Sequence, residues 1–512
     1  MLSEIDLGPW PPCPAPFNLA RHVLEASCAR VPEQVALQIV SPDGAESWTY
    51  ARLMSAVRGC GTGLLERGLV PGDRVLMRLG NVVEFPVLFL GAIAAGLVPV
   101  PTSAALTGPE ITRMAAVVGP ALIVAGDGVA LPDPLPCPIV TADELVAWER
   151  LPLCAWDMGD PERLAYAVFT SGTSGRAQAV GHAHRAIWAR GMMHEGWEGI
   201  SQTDRVLHAG AFNWTYTLGT GLMDPWTLGA TALIPAAGVE ARELGLLLQR
   251  FDATVFAAAP GVYRQMLRAG LPTLPMLRHG LSAGEALPEA LRVEWQAASG
   301  CAVHEALGMT EVSTYLSGSP ARPALPGTAG WVQAGRRVAV LGPDGVPVMR
   351  GEVGVLAVHR GDPGVMLGYL GDEAATAARF QGDWFVTGDL AVMGPEGAIR
   401  FAGRADDLMN AGGFRVSPLE VEAAMAICPG VEDVAVTEVE VRPGVRVIGC
   451  FFVGSAEVGA LEAHAAAQLA RWKQPRLFHR LDALPRSANN KLNRRALAAL
   501  LPPQSTPEEG RA

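Results

Sequence analysis

The chain has 512 residues, 49% of them hydrophobic and 18% charged, with a formal net charge of −11. That length exceeds a single hydrophobic core and calls for at least two domains, and the acidic balance argues against nucleic acid as a partner, since phosphate binding needs an excess of Lys and Arg. No apolar run reaches the ~18 residues of a membrane span, the N-terminus has neither a basic nor an apolar signal region, and the cysteines form no C-x-x-C pair, which speaks against zinc and a disulfide framework and fits reduced thiols in the cytoplasm.

Residues 1–16 are proline-rich and are expected to be an irregular lead-in. Apolar spacing then predicts a helix over 19–30, a strand over 35–40, a helix over 50–67, a strand over 74–79 and a buried helix over 85–95 that leads into another strand. Such alternation argues for parallel α/β layers. Gly61-x-Gly63 lacks a preceding strand, so small packing residues in a helix are expected there rather than a dinucleotide loop. The run 164–169 reads as a buried strand. The pattern resumes with a strand at 231–235, a helix near 240–250 and a strand at 254–257. From Gly335 to Phe401, short strands alternate with turns such as Pro343-Asp344-Gly345 and Pro395-Glu396-Gly397, which reads as a small antiparallel subdomain. The final stretch of roughly 110 residues holds about two helices and three strands, a compact α+β unit.

Phe169-Thr170-Ser171-Gly172-Thr173-Ser174-Gly175-Arg176 leaves the end of the 164–169 strand. Its glycines let a backbone approach an anion, its hydroxyls and N–H groups donate to oxygens, and its basic residue balances charge. It is a phosphate loop, but not of the Walker spacing. Three further stretches carry chemistry-bearing residues: Glu305-Ala306-Leu307-Gly308-Met309-Thr310-Glu311; Trp384-Phe385-Val386-Thr387-Gly388-Asp389; and Gly403-Arg404-Ala405-Asp406-Asp407, followed by Gly412-Gly413-Phe414-Arg415. Near the end, Asn489-Asn490-Lys491 places a lysine in a polar loop. Alone, Thr310-Glu311 also reads as a helix N-cap beside a first-turn acid. His182 and His184 are read as structural or solvent-facing, because an H-x-H pair without a third ligand makes a poor metal site.

In this order the motifs resemble those of the adenylate-forming superfamily, which includes acyl-CoA synthetases, and the resemblance spans about residues 20–498. It implies a large domain, 1–402, of layered α/β subdomains with the antiparallel subdomain, and a small mobile α+β domain, 403–512, hinged near Asp406. It implies activation of a carboxylic acid by ATP and Mg²⁺ to an acyl-adenylate, then transfer to coenzyme A. Thr170, Ser171, Gly172, Thr173, Ser174, Gly175 and Arg176 would hold the β- and γ-phosphates. Relatives usually carry Lys in place of Arg176 and Pro-Lys in place of Ala177-Gln178, so this loop has one cation fewer. Thr310 would donate to the α-phosphate and Glu311 would ligate Mg²⁺. Gly284, Glu285, Ala286, Glu305, Ala306, Leu307, Gly308 and Met309 would line the nucleotide. Asp389 would chelate the ribose, with Arg404 on ribose or phosphate. Gly412, Gly413, Phe414 and Arg415 would pass the CoA arm, and Lys491 would stabilise charge in the first step.

Phe212, Asn213, Trp214 and Ala283 fall where relatives line the acyl pocket. Amino-acid-activating relatives carry an Asp in place of Asn213, and a neutral amide cannot compensate a buried ammonium. Benzoate-type and medium-chain acid–CoA ligases look most similar. A stand-alone enzyme loading a carrier protein and a degenerate nucleotide-binding regulator remain the alternatives, and monomer and homodimer both stay open.

Overall fold

In the computed structural model, which describes residues 1–171, 177–405, 409–411, 414–442, 445–486 and 492–501, the expected alternation begins with the helix Leu19–Arg30. Asn18 caps it by accepting from the Arg21 N–H, and the same side chain donates to the carbonyls of Ile93 and Asp157. The helix Tyr50–Glu66 carries Gly61 and Gly63 on its packed face. A Cβ at Gly61 would strike the Cys154 thiol, and one at Gly63 the Trp148 ring, so these glycines permit close helix packing.

Two sheets form the layers. One is a parallel sheet in the order Val98–Pro101, Arg74–Arg78, Leu122–Ala125, Ile139–Thr141. The other has nine strands. Its centre, Val303–Met309, His279–Ala283, Val255–Ala258, Arg205–His208, Thr231–Pro235 and Val35–Ser41, is parallel. Antiparallel strands close both edges: Ser313–Ser317 with Trp331–Val332, and Gly44–Thr49. The central strands are buried on both faces, which is why they read as continuous apolar runs.

The antiparallel subdomain forms from Arg337–Leu341, Val353–His359, Trp384–Met393 and Ile399–Arg404. One expectation is corrected here. The lead-in is not wholly irregular, because Glu4–Asp6 adds an edge strand to Arg337–Leu341, and Arg337 bonds Glu4 across 333 positions. A partner that far along the chain leaves no local signal.

The C-terminal part has one helix and one hairpin more than expected. Strands Val431–Arg442, Val445–Gly454 and Leu477–Arg480 form its sheet, with helices Pro418–Ala426, Val458–Gln468 and Arg494–Ala499 and the hairpin Met409–Ala411/Phe414–Val416. Its own core includes Val421, Met425, Val436, Phe452 and Leu461. Among the links that join it to the rest are Arg264 to Asp433 at 3.3 Å, Arg268 to Glu432 at 3.4 Å, and the Leu492 N–H and Arg486 to the Glu285 carboxylate at 2.9 Å and 3.5 Å. Among the described residues no helix is long and apolar enough to cross a membrane, and every cysteine is free.

Candidate active site

Parallel strands that all point one way bring their C-terminal ends to one edge of the sheet, where ligands bind in open α/β folds. Ala283, Met309 and His208 stand at that edge. A cleft of about 770 Å³, open to solvent, lies there. Gly284, Gly308, Met309 and Thr310 line one side, Trp214, Thr215 and Tyr216 another, and Tyr166, His182, Arg190, Met193, Trp197 and Thr220 the remaining wall.

Thr310 and Glu311 occupy a tight hairpin between Val303–Met309 and Ser313–Ser317, with Met309 paired to Ser313. The helix N-cap alternative is therefore not realised. The turn is crowded: a Cβ at Gly308 would collide with the Ser313 backbone, and Ser313 itself has φ +73°. A non-glycine residue held there is strained, a condition that clusters at functional sites. Glu311 is 7% exposed, and Tyr369 Oη donates to its Oε1 at 2.7 Å. Its Oε2 makes no hydrogen bond among the described residues. A carboxylate with one oxygen uncommitted, next in the chain to the cleft-lining Thr310, fits the hard donor that Mg²⁺ takes.

The strand Leu164–Ser171 pairs antiparallel with Ala177–Ala183 on either side of the expected phosphate loop. Gly172, Thr173, Ser174, Gly175 and Arg176 lie outside the described residues, as do Asp406, Gly412, Gly413 and Lys491. Thr170 is half-buried opposite Gln178, and Ser171 pairs with Ala177. Phe414 and Arg415 lie on the short strand Phe414–Val416.

Asp389 and Arg404 are register partners on adjacent strands. Arg404 Nη1 donates to Asp389 Oδ1 at 3.1 Å and Tyr315 Oη to Oδ2 at 3.3 Å. Asp389 is only 4% exposed, and burial raises its pKa against the opposing charge of Arg404. Sequence reading missed Arg379 beside it. Its Nη2 donates to the Thr387 carbonyl at 3.1 Å, it stacks over Phe385, and its Nε has no partner among the described residues.

Two acids expected at the nucleotide have their carboxylates engaged elsewhere. Glu305 accepts from the Leu287 N–H at 2.9 Å and from Arg292 at 3.2 Å, and burial pushes its pKa up to about 7. Glu285 accepts from Leu492 N–H and Arg486. It therefore holds the segment that follows Lys491 against the loop of Gly284. Ala286 is exposed on that loop, Ala306 is buried and Leu307 half-buried. Of the acyl-pocket expectations, Trp214 and Ala283 line the cleft. Phe212 instead sits in the core, stacked on Phe85 at 5.1 Å, and Asn213 is half-buried outside the lining. His184 is structural, whereas the buried His182 lines the cleft. His182 stacks on Tyr166 at 4.8 Å, and His184 Nδ1 accepts from the Leu19 N–H.

The missed wall comes from the helix Ala186–Met193 and two π-helical turns, His194–Glu198 and Thr217–Met223. Such widened turns recur at functional sites. No motif marks them, because a wall needs shape at one face rather than a run of consecutive residues.

Residues 24–370 match the family model described as AMP-binding enzyme, and residues 420–491 match the one described as AMP-binding enzyme C-terminal domain. A benzoate–CoA ligase of Thauera aromatica is 31% identical over 489 residues, covering 88% of this chain and 90% of that protein. A 4-hydroxybenzoate–CoA/benzoate–CoA ligase of Rhodopseudomonas palustris is 29% identical, covering 88% of this chain and 89% of that protein. The crystal structure of a benzoate CoA ligase from Burkholderia xenovorans LB400 superposes with a TM-score of 0.85 at 27% identity, over 94% of this chain and 100% of that one. With a cleft at the strand ends and matches of this extent, the chain belongs to the AMP-binding enzyme family.

Proposed function

We propose that this enzyme activates a compact carboxylic acid without an ammonium group, using ATP with Mg²⁺, and passes the acyl group to coenzyme A. It is an AMP-forming acid–CoA ligase, as the family match and its ligase relatives support. The observation that carries the acid's character is the wall of the cleft: Trp214, Tyr216 and Trp197 give it aromatic faces, and a cationic Arg190 lies among its lining residues. A substrate ammonium would meet guanidinium N–H groups, which donate and cannot accept from it, and would find no acceptor there. The discrimination first read from Asn213 thus rests on Arg190 instead. The acids in the relatives' names, benzoate and hydroxybenzoate, are of the same compact kind.

In the first half-reaction a carboxylate oxygen attacks the α-phosphorus as the bond to pyrophosphate breaks. The Thr310 hydroxyl would donate to an α-phosphate oxygen, and Asp389 would accept from ribose hydroxyls. Glu311 would hold Mg²⁺, which when bound neutralises charge on the phosphates. In the second half-reaction the CoA thiol attacks the acyl carbonyl and AMP leaves. Lys491 serves the first step and the Gly412–Arg415 loop the second, on one small domain of residues 403–512 that swings about Asp406. The Leu492–Glu285 bond supports the first of these arrangements, because it ties Leu492 to the loop of Gly284.

Incubation with ATP, Mg²⁺, CoA and a panel of acids tests the reading. Acid-dependent AMP, pyrophosphate and acyl-CoA in equal amounts are expected. Thioester formed only on a phosphopantetheinylated carrier protein would favour carrier loading, and absence of acid-dependent ATP–pyrophosphate exchange would leave only a regulator.

A further inference from the structure

Beneath the aromatic part of the cleft lies a buried cluster of charged side chains that the reaction does not use. Arg190 grips Asp224: its Nε donates to Oδ1 at 2.8 Å and Oδ2 at 3.0 Å, and its Nη2 also bonds Oδ2. Nη2 further reaches Thr220 Oγ1 at 3.2 Å, and Thr220 donates to Glu198 Oε1 at 2.9 Å. Asp224 and Glu198 are fully buried. His194, Glu198 and Asp224 stand close enough together to share an ion. The guanidinium already occupies both Asp224 oxygens, however, so this is an arginine site rather than a metal site. Burial, and then the charge of Asp224, raise the Glu198 pKa. Burial alone would raise Asp224 too, but the Arg190 charge overrides it and holds the carboxyl below its usual range.

Burying such a cluster gives little stability. Replacing an ion pair of this kind with packed hydrocarbon is often neutral or favourable. Its place suggests what it is for. Arg190, Thr220 and Met223 line the cleft from the helical wall, while Gly284 and Thr310 line it at the strand ends. Arg190 Nη1 donates to Ser313 Oγ at 2.7 Å, and its second N–H has no protein partner among the described residues. A guanidinium nitrogen with a spare donor, held rigid by a carboxylate behind it, is built to give a hydrogen bond to something in the cleft.

We propose that the acid taken by this enzyme carries an uncharged oxygen function, a hydroxyl, ether or carbonyl, at the end remote from its carboxylate, and that Arg190 donates to that oxygen. The proposal rests on the acid–CoA ligase reading. Charge balance excludes the neighbouring chemistries. Arg190 is already matched by Asp224, so a second carboxylate would bring an uncompensated negative charge into the wall. An ammonium would face a guanidinium that has donors only and cannot accept from it. A plain hydrocarbon end would leave the spare donor desolvated and unpaired.

The test uses trios of acids matched in size whose distal group is hydroxyl, methyl or carboxylate, in ring and straight-chain series, read as kcat/KM for acyl-CoA formation. The expected order is hydroxyl, methyl, carboxylate, with hydroxyl ahead of methyl by about tenfold or more, as for a site built to bond a substrate oxygen. In the double variant Arg190→Leu/Asp224→Leu, which leaves neither charge buried alone, the hydroxyl-to-methyl ratio should fall towards one. A wild-type preference for methyl or carboxylate acids overturns the proposal, as does a ratio unchanged in the double variant. If the double variant does not fold, the wild-type order decides alone. A panel in which no acid gives acyl-CoA would instead count against the ligase reading on which the proposal stands.

Discussion

The two ends of the cleft are built on different principles. At the proposed nucleotide end, short contiguous stretches supply the residues: Gly308 to Thr310 with Glu311 behind them in one hairpin, Gly284 after one strand, and, outside the cleft lining, Thr387 to Asp389 within another. There the backbone itself is part of the site, as the crowding of Gly308 against Ser313 shows. At the proposed acyl end, single residues arrive from the helix Ala186–Met193, the turn Thr217–Met223 and the 214–216 segment. Fixed chemistry on a fixed ligand demands fixed backbone geometry. A wall that selects one acid among many needs only the right side chain at each point. Variants at the first end should therefore change how fast every acid reacts, and variants at the second should change which acid reacts.

The largest effect is expected at the swing between half-reactions. Lys491→Ala should abolish adenylate formation yet still convert supplied acyl-AMP and CoA to thioester. Asp406→Pro should do the reverse, because a fixed φ restricts the hinge. Equal loss of both halves in two folded variants would end the domain-swing account. Next, Glu311→Ala should lower kcat by about two orders of magnitude for all acids, as removal of an electrostatic stabiliser does. Near wild-type turnover in that variant would remove Glu311 from the metal site.

A smaller effect sharpens the comparison from the side. Glu285 is partly exposed and accepts from the Leu492 N–H, so Glu285→Ala should slow adenylation severalfold, in line with losing one hydrogen bond to a charged group. Thioester formation from supplied acyl-AMP should not change. If both halves slow together, the contact is a general brace and not specific to the first step.

The smallest effect is on stability. His182, His184 and His304 are buried with pKa values lowered to about 4, and His208 to about 3, by burial. The unfolded chain binds more protons than the native state between these values and about 6.5. Stability is thus full above that upper value and is lost as pH falls through the window. The urea midpoint should be lower at pH 5 than at pH 7.5, and equal midpoints would contradict the burial of these rings.

Much of the fold was legible because periodicity is local. The helix expected over 19–30 is the observed Leu19–Arg30, and the strand over 231–235 is Thr231–Pro235. The edge strand Glu4–Asp6 was not legible, because its partner lies 333 positions away. Thr310, Gly308, Met309 and Gly284, which line the cleft, were legible as candidates because a motif surrounds each of them. Arg190 and Thr220 were not. They sit in helical stretches with no motif, and only the folded π-helical turns bring them to one wall. Glu285 and Glu305 were legible as site-adjacent acids but not in their roles, since their partners Leu492 and Arg292 are set by tertiary packing.

The separability of the two ends is tested most directly by measuring kcat/KM for one mixed acid panel, α-amino acids included, in the wild type and in Asp389→Asn. The account predicts that the variant loses activity by a common factor on every acid, with the rank order unchanged and the α-amino acids last in both. A reordered panel, or an α-amino acid in first place, would contradict it.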